Sequence, residues 1–161
     1  MQMLARVQES HATFTEVKVM ANLTRPLQGS GRLYYRRPSH LEKITREPQA
    51  ESLVVDADRL TLAEGNEAPR TIDLNGEPVI RTLVDAVRGT LSGDLAALRR
   101  SYRVSMEGDI GGWRLTLIPT DSRVAQLIVS TTIDGAGTSL RTVQTAQTNG
   151  DTMRMTITPI S

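Results

Sequence analysis

Two histidines, His11 and His40, are the first residues to weigh for acid–base or metal chemistry. They lie far apart in the chain, and neither has a carboxylate or second histidine at the spacing of an H-E-x-x-H site. The chain has no cysteine, which excludes disulfides, thiolate metal sites and cysteine nucleophiles. No G-x-S-x-G elbow, G-x-G-x-x-G turn or P-loop is present. Gly29-Ser30-Gly31 reads as a turn between strands, with no helix behind it to hold a phosphate. Asp56 and Asp58 flank an expected turn, where aspartate bonds its own backbone, so they do not read as a calcium loop. Asn22-Leu23-Thr24 matches the glycosylation pattern but falls in an expected strand. These residues assemble no catalytic constellation, and neither an enzyme, a cofactor nor a metal is expected.

Composition narrows the classes further. The length of 161 residues fits one domain spanning 1–161. Net charge is +1, with 19 basic against 18 acidic residues, which is no electrostatic footprint for nucleic acid. The basic pairs Arg36-Arg37 and Arg99-Arg100 read as solvated surface. No apolar run approaches the roughly 20 residues that cross a bilayer. Aromatics are scarce, at 3%, so any large apolar surface must come from Leu, Val, Ile, Ala and Met. Met1-Gln2-Met3-Leu4 lacks the charged and apolar regions of a signal peptide. A cytosolic chain, or a mature one whose signal has been removed, fits that start.

The elements that would position any site read as strands, a helical insert, then strands. Leu4 and Val7 suit a short opening helix. From Thr13 the period becomes two. Thr15, Val17, Val19, Ala21 and Leu23 share one face, and Glu16, Lys18 and Asn22 share the other. Arg25-Pro26 through Gly31 reads as a turn. Leu33 and Tyr35 then alternate with arginines until Pro38, and short strands follow over 41–46, 52–56 and 59–62. Asn75 and Pro78 open an amphipathic helix carrying Val79, Ile80, Leu83, Val84 and Val87, which Gly89 should end. Ser92 would cap a shorter helix bearing Leu95 and Leu98. Strands resume at Tyr102-Val104-Met106 and at Trp113-Leu115-Leu117. The next apolar face is Ala125, Leu127, Val129 and Ile133, closing at Asp134-Gly135, and the last strands reach Ile157. About ten short-linked strands make a mainly β, α+β fold, an antiparallel sheet that curls and needs its apolar face covered. Helices are the available cover.

Several of these stretches, in this order, resemble the LolA family of outer-membrane lipoprotein carriers. Ser10-His11-Ala12-Thr13-Phe14-Thr15 opens the likeness, and Pro26-Leu27 precedes Gly31-Arg32-Leu33-Tyr34-Tyr35-Arg36-Arg37-Pro38. Leu53-Val54-Val55-Asp56 with Leu60 is similar to the family hairpin L-V-x-D-G-x-x-L. Tyr102-Arg103-Val104, residues Trp113 to Pro119, and Met155-Thr156-Ile157-Thr158-Pro159 resemble its later strands. The resemblance runs over about residues 4–159. It implies a curved, incomplete antiparallel β-barrel with a helical lid over an apolar cavity. It implies a monomeric periplasmic carrier of an acylated lipoprotein or other lipid cargo, moving between an inner-membrane release complex and an outer-membrane acceptor. Arg37 matches the family arginine before proline, and the resemblance gives it the role of a lid latch. The apolar faces supply the expected lipid-binding wall: Val17, Val19, Leu33, Tyr35, Leu41, Val54, Leu60 and Leu62 from strands, with Ile80, Leu83, Val84 and Val87 from the lid. Lys43 stands near a position where family members carry an aromatic, which leaves another lipid-linked cargo open. The alternative is a protein-interaction module of the same fold whose core is filled by its own side chains.

Overall fold

The computed structural model describes residues 3–160. Strands β1 (Glu9–Val19), β2 (Leu27–Arg36), β3 (His40–Glu47), β4 (Glu51–Asp56), β5 (Arg59–Glu64) and β6 (Arg70–Asp73) precede the helical insert. The insert is a 3-10 turn, Leu74–Gly76, then α1 (Pro78–Leu91) and α2 (Leu95–Ser101). Strands β7 (Tyr102–Asp109), β8 (Gly112–Pro119), β9 (Ile128–Ala136), β10 (Ser139–Gln147) and β11 (Thr152–Pro159) follow, with the single turn α3 (Ser122–Ala125) between β8 and β9. The eleven strands form one sheet in the order β6-β5-β4-β3-β2-β1-β11-β10-β9-β8-β7. Every described pairing is antiparallel, as short connections require.

The first and last strands meet at mid-sheet, so the two ends of the insert attach to the two edges. The insert must therefore cross a face of the sheet, which is how a helix comes to lie over the apolar side. This is the expected curved open sheet with helical cover, gaining β6 as a strand the sequence did not announce.

Two strand faces differ from the sequence expectation. In β1 the inward residues are Ser10, Ala12, Phe14 and Glu16, while Thr13, Thr15, Val17 and Val19 face outward. Phe14 fixes the parity, and Glu16, only 6% exposed, is tolerated inside because Lys43 Nζ lies 2.9 Å from its carboxylate. An alternation identifies two faces but not which one is buried. In β9 the buried residues are Ile128, Thr131 and Ile133, and a register shift at Ala146–Gln147 of its partner leaves Leu127 and Val129 exposed. A bulge of this kind carries an extra residue past the ladder and reverses the facing beyond it.

Glycines account for three further differences. Gly31 lies within β2 rather than in a turn, since a Cβ there would sit 1.9 Å from the Ile44 carbonyl oxygen of β3. Gly89 does not end α1. It lets Leu98 of α2 approach, and the helix runs on to Leu91. β9 continues through Gly135, which makes room for the Trp113 ring, so the turn falls beyond Ala136. Caps also move: Asp73 caps the 3-10 turn through Asn75 N–H, and Asp94 caps α2 through Ala97 N–H. The opening helix is a 3-10 turn, Leu4–Arg6, that buries Leu4.

Two apolar clusters result. The larger joins Phe14, Trp113, Leu115, Leu117, Ile133 and Val143 to Leu4, Ala86 and Leu98. The smaller joins Tyr35, Leu41, Val55, Leu60 and Leu74, with Ile80, Val84, Val87 and Leu91 of α1 packed on it.

Candidate functional site

The site lies where α1 crosses the smaller cluster. Ile80, Val84, Val87 and Leu91 recur at three- and four-residue steps, so one stripe of the helix faces the sheet. Between that stripe and the sheet is an apolar cleft holding about 70 Å³ of open space. Leu33, Tyr35, Leu41, Val87, Leu91 and Leu140 contribute to its wall, with Ser10 and Ser139 among the polar residues there.

Arginines hold the helix to the sheet. Arg37 donates from both Nη1 and Nη2 to the Ser92 carbonyl at the end of α1, at 3.1 and 3.2 Å. Arg88, on α1, donates to the Ser39 carbonyl at 3.2 Å and the Ala57 carbonyl at 2.6 Å, and Asp85 steadies it from one turn back. Arg81 reaches Asp58 at 3.1 Å and Asn75 at 2.7 Å. The three arginines link α1 to the turns at one rim of the sheet: Arg37 reaches the end of α1 from the β2–β3 turn, and Arg88 and Arg81 reach the turns at Ser39, Ala57 and Asp58 from α1. Charge-assisted hydrogen bonds of this type are worth about 1.5–3 kcal/mol each, less where water competes.

Tyr35 has a different status. Its side chain is 1% exposed and lines the cleft, yet its hydroxyl has no hydrogen-bond partner among the described residues. Burial pushes its phenol up, and the positive charges of Arg37 and Arg88 oppose that shift. Tyr102, also buried, is satisfied: its hydroxyl donates to the Thr82 carbonyl of α1.

The expected wall residues separate into groups. Leu33, Tyr35, Leu41 and Val87 line the cleft. Leu60, Ile80 and Val84 lie in or against the smaller cluster beneath it, and Leu62 shares the inward parity through its pairing with Leu53. Leu83 is half-buried and joins neither cluster. Val54 pairs with Glu42 on the outward face, and Val17 and Val19 are exposed on that face of β1. Arg37 bonds the carbonyl at the end of α1. The sequence reading missed Arg88, Arg81 and Leu91. The signal for the arginines was present, because Arg81, Asp85 and Arg88 follow a helical spacing that flanks the apolar stripe.

His40 lies with Nε2 2.7 Å from Glu42 and Nδ1 3.4 Å from Asp56, on the outer rim. Among the described residues no group of three such side chains is placed to hold a metal ion. No helix among them is long and apolar enough to cross a membrane.

The family model described as outer membrane lipoprotein carrier protein LolA-like matches residues 1–159. No curated protein matches the chain significantly. Among solved structures, a LolA superfamily protein from Nitrosomonas europaea is similar at 9% identity and a TM-score of 0.47, covering 98% of this chain and 89% of that one. The Pseudomonas aeruginosa MucA/MucB complex is similar at 13% identity and a TM-score of 0.47, covering 97% of this chain and 53% of that one. The Clostridioides difficile CwlD amidase complex with the GerS lipoprotein is similar at 10% identity and a TM-score of 0.45, covering 92% and 82%.

Proposed function

Because the chain belongs to the LolA-like family of outer membrane lipoprotein carrier proteins, we propose that it carries the acyl part of a lipid or lipoprotein under α1. The proposed place of work is the periplasm, between an inner-membrane release complex and an outer-membrane acceptor. The observation that carries this reading is the apolar cleft beneath a helix whose facing aliphatics are mostly half-buried and which arginine bonds to carbonyls also fasten to the rim of the sheet.

The energetics are consistent with a closed and an open form. Small-molecule sites occupy roughly 300–1,000 Å³. The present cleft, at about 70 Å³, is the closed form, and loading requires α1 to lift. Releasing the four Arg37 and Arg88 bonds costs about 6–12 kcal/mol at most, and less where water competes. Burying some fifteen methylenes of a long acyl chain returns roughly 12 kcal/mol at about 0.8 kcal/mol each. An acyl chain can therefore hold the lid open, and the re-forming clasp can help expel it. Shape-adaptable aliphatic walls suit such chains.

The small closed volume also favours a second reading, an interaction module whose core is filled by its own side chains. Mass spectrometry of organic extracts from protein taken from its native compartment, together with uptake of added acyl lipid, separates the two. A stoichiometric acylated species supports the carrier. A clean extract with no uptake of added lipid overturns it in favour of the filled core.

A further inference from the structure

We propose that the Tyr35 hydroxyl is the hydrogen-bond donor that fixes the head of a bound acyl chain by its carbonyl oxygen. This inference rests on the carrier reading and specifies its ligand: a chain that ends in an ester, amide or carboxylate carbonyl, rather than a plain hydrocarbon.

Tyr35 is almost wholly buried, in a wall where Leu33, Leu41, Val87, Leu91 and Leu140 supply the apolar surface and Ser10, His11, Thr138 and Ser139 are polar. A buried hydroxyl without a partner is destabilising in the closed protein, and native cores rarely keep one. The neighbouring inward positions of the same strand face, Gly31 and Leu33, are apolar, so a phenylalanine would suit the packing equally well. The hydroxyl is therefore an excess polar group at the one place where cleft and clasp meet.

The surroundings set what it can bind. Arg37 is two residues further along the chain and bonds the end of α1, and Arg88 bonds the adjacent turns. Both guanidiniums act electrostatically on the Tyr35 phenol. When α1 lifts, these donors lose the Ser92, Ser39 and Ala57 carbonyls. The opened rim then presents a phenolic O–H and two cations, all of which favour an acceptor carrying partial or full negative charge. An acyl carbonyl fits this, with its chain running into the aliphatic part of the cleft. Ligand and lid backbone would use the same kind of acceptor in turn, so loading exchanges lid carbonyls for a cargo carbonyl.

The test uses three fluorescent probes with the purified protein and Tyr35→Phe: diphenylhexatriene, which is a hydrocarbon, cis-parinaric acid, and its methyl ester. One neutral hydrogen bond corresponds to a roughly 2- to 12-fold difference in affinity. Tyr35→Phe should weaken the acid and the ester by that factor and leave diphenylhexatriene no weaker. Loss confined to the acid identifies a free fatty acid as the source of the carbonyl, and equal loss identifies an ester-linked chain. Both outcomes support the inference. Equal effects on all three probes, or none, overturn it while the carrier reading stands. Failure of every probe to bind the unsubstituted protein overturns the carrier reading, and this inference with it. A second measurement checks the premise: ligand-free Tyr35→Phe should melt at or above the temperature of the parent. A lower melting temperature would show the hydroxyl already paired, and would overturn the inference.

Discussion

The two halves of the sheet solve the same problem in different ways. Across β7–β11 and β1, the inward faces interlock with one another and with Leu4 and Leu98, and Leu115, Leu117 and Ile133 are completely buried. Across β2–β6 the inward residues are fewer, and α1 packs half-buried aliphatics on them, while its fully buried Ala86 lies in the larger cluster. What the second half lacks in apolar burial it replaces with arginine bonds to carbonyls at the rim. Apolar packing is lost continuously as a helix lifts. Hydrogen bonds break over a short distance and can be re-made elsewhere. On the carrier reading proposed above, the first half is a fixed wall and the second a releasable cover.

The sharpest way to break this comparison is to remove one side chain from each half. Leu115→Ala should cost about 2–5 kcal/mol of global stability in denaturant unfolding. Val84→Ala, which removes two half-buried methyl groups, should cost about 1 kcal/mol. Equal losses would mean that the halves share one cooperative core.

Much of the rigid half was readable beforehand, and the reason is visible in β8. Trp113, Leu115 and Leu117 alternate with Arg114 and Thr116, and residues this large and apolar leave no choice of inward face. β1 offered Val17 and Val19 against a lone Phe14, and the choice turned on an ion pair between Glu16 and a lysine two strands away. Such pairing is invisible in local periodicity. The bulge that exposes Leu127 and Val129 depends on a partner strand in the same way. In the covered half, the stripe of α1 was legible because helical spacing is local. Arg37 stood out only through the family resemblance, since an arginine before proline has no intrinsic meaning. Its acceptor, Ser92 O, lies 55 residues away. The unpartnered Tyr35 hydroxyl had no sequence signal at all, because a missing partner is a property of three dimensions.

A smaller effect tests the clasp directly. Arg37→Leu removes both bonds to Ser92 while keeping an apolar stem. Hydrogen exchange of the α1 amides should accelerate roughly 10-fold or more, the equivalent of about 1.5–3 kcal/mol. The amides of β8 and β9 should be unaffected, and cargo retention should fall. Uniform acceleration throughout the sheet would make Arg37 a general stabiliser. Unchanged exchange and retention would remove its role as a latch.

The smallest effect concerns the turn that receives Arg88. Ala57 has φ +51°, a left-handed conformation that costs a residue with a Cβ roughly 1–2 kcal/mol. The family hairpin pattern L-V-x-D-G-x-x-L carries glycine at that place. Ala57→Gly relieves the steric cost but adds freedom to the unfolded chain, for a net gain of about 0.5 kcal/mol. Stability should therefore rise slightly in denaturant unfolding. The lid should respond in the opposite sense. Ala57 presents its carbonyl to Arg88 and donates its N–H to Ser39 Oγ, so the turn is fixed as an acceptor between two strand pairs. A glycine there lets the carbonyl wander, and α1 exchange should quicken although the fold as a whole is firmer. If stability rises and lid exchange slows with it, the turn is only another part of the scaffold. If the two move apart, stability and lid retention are separable properties, which is what a fixed wall with a releasable cover requires.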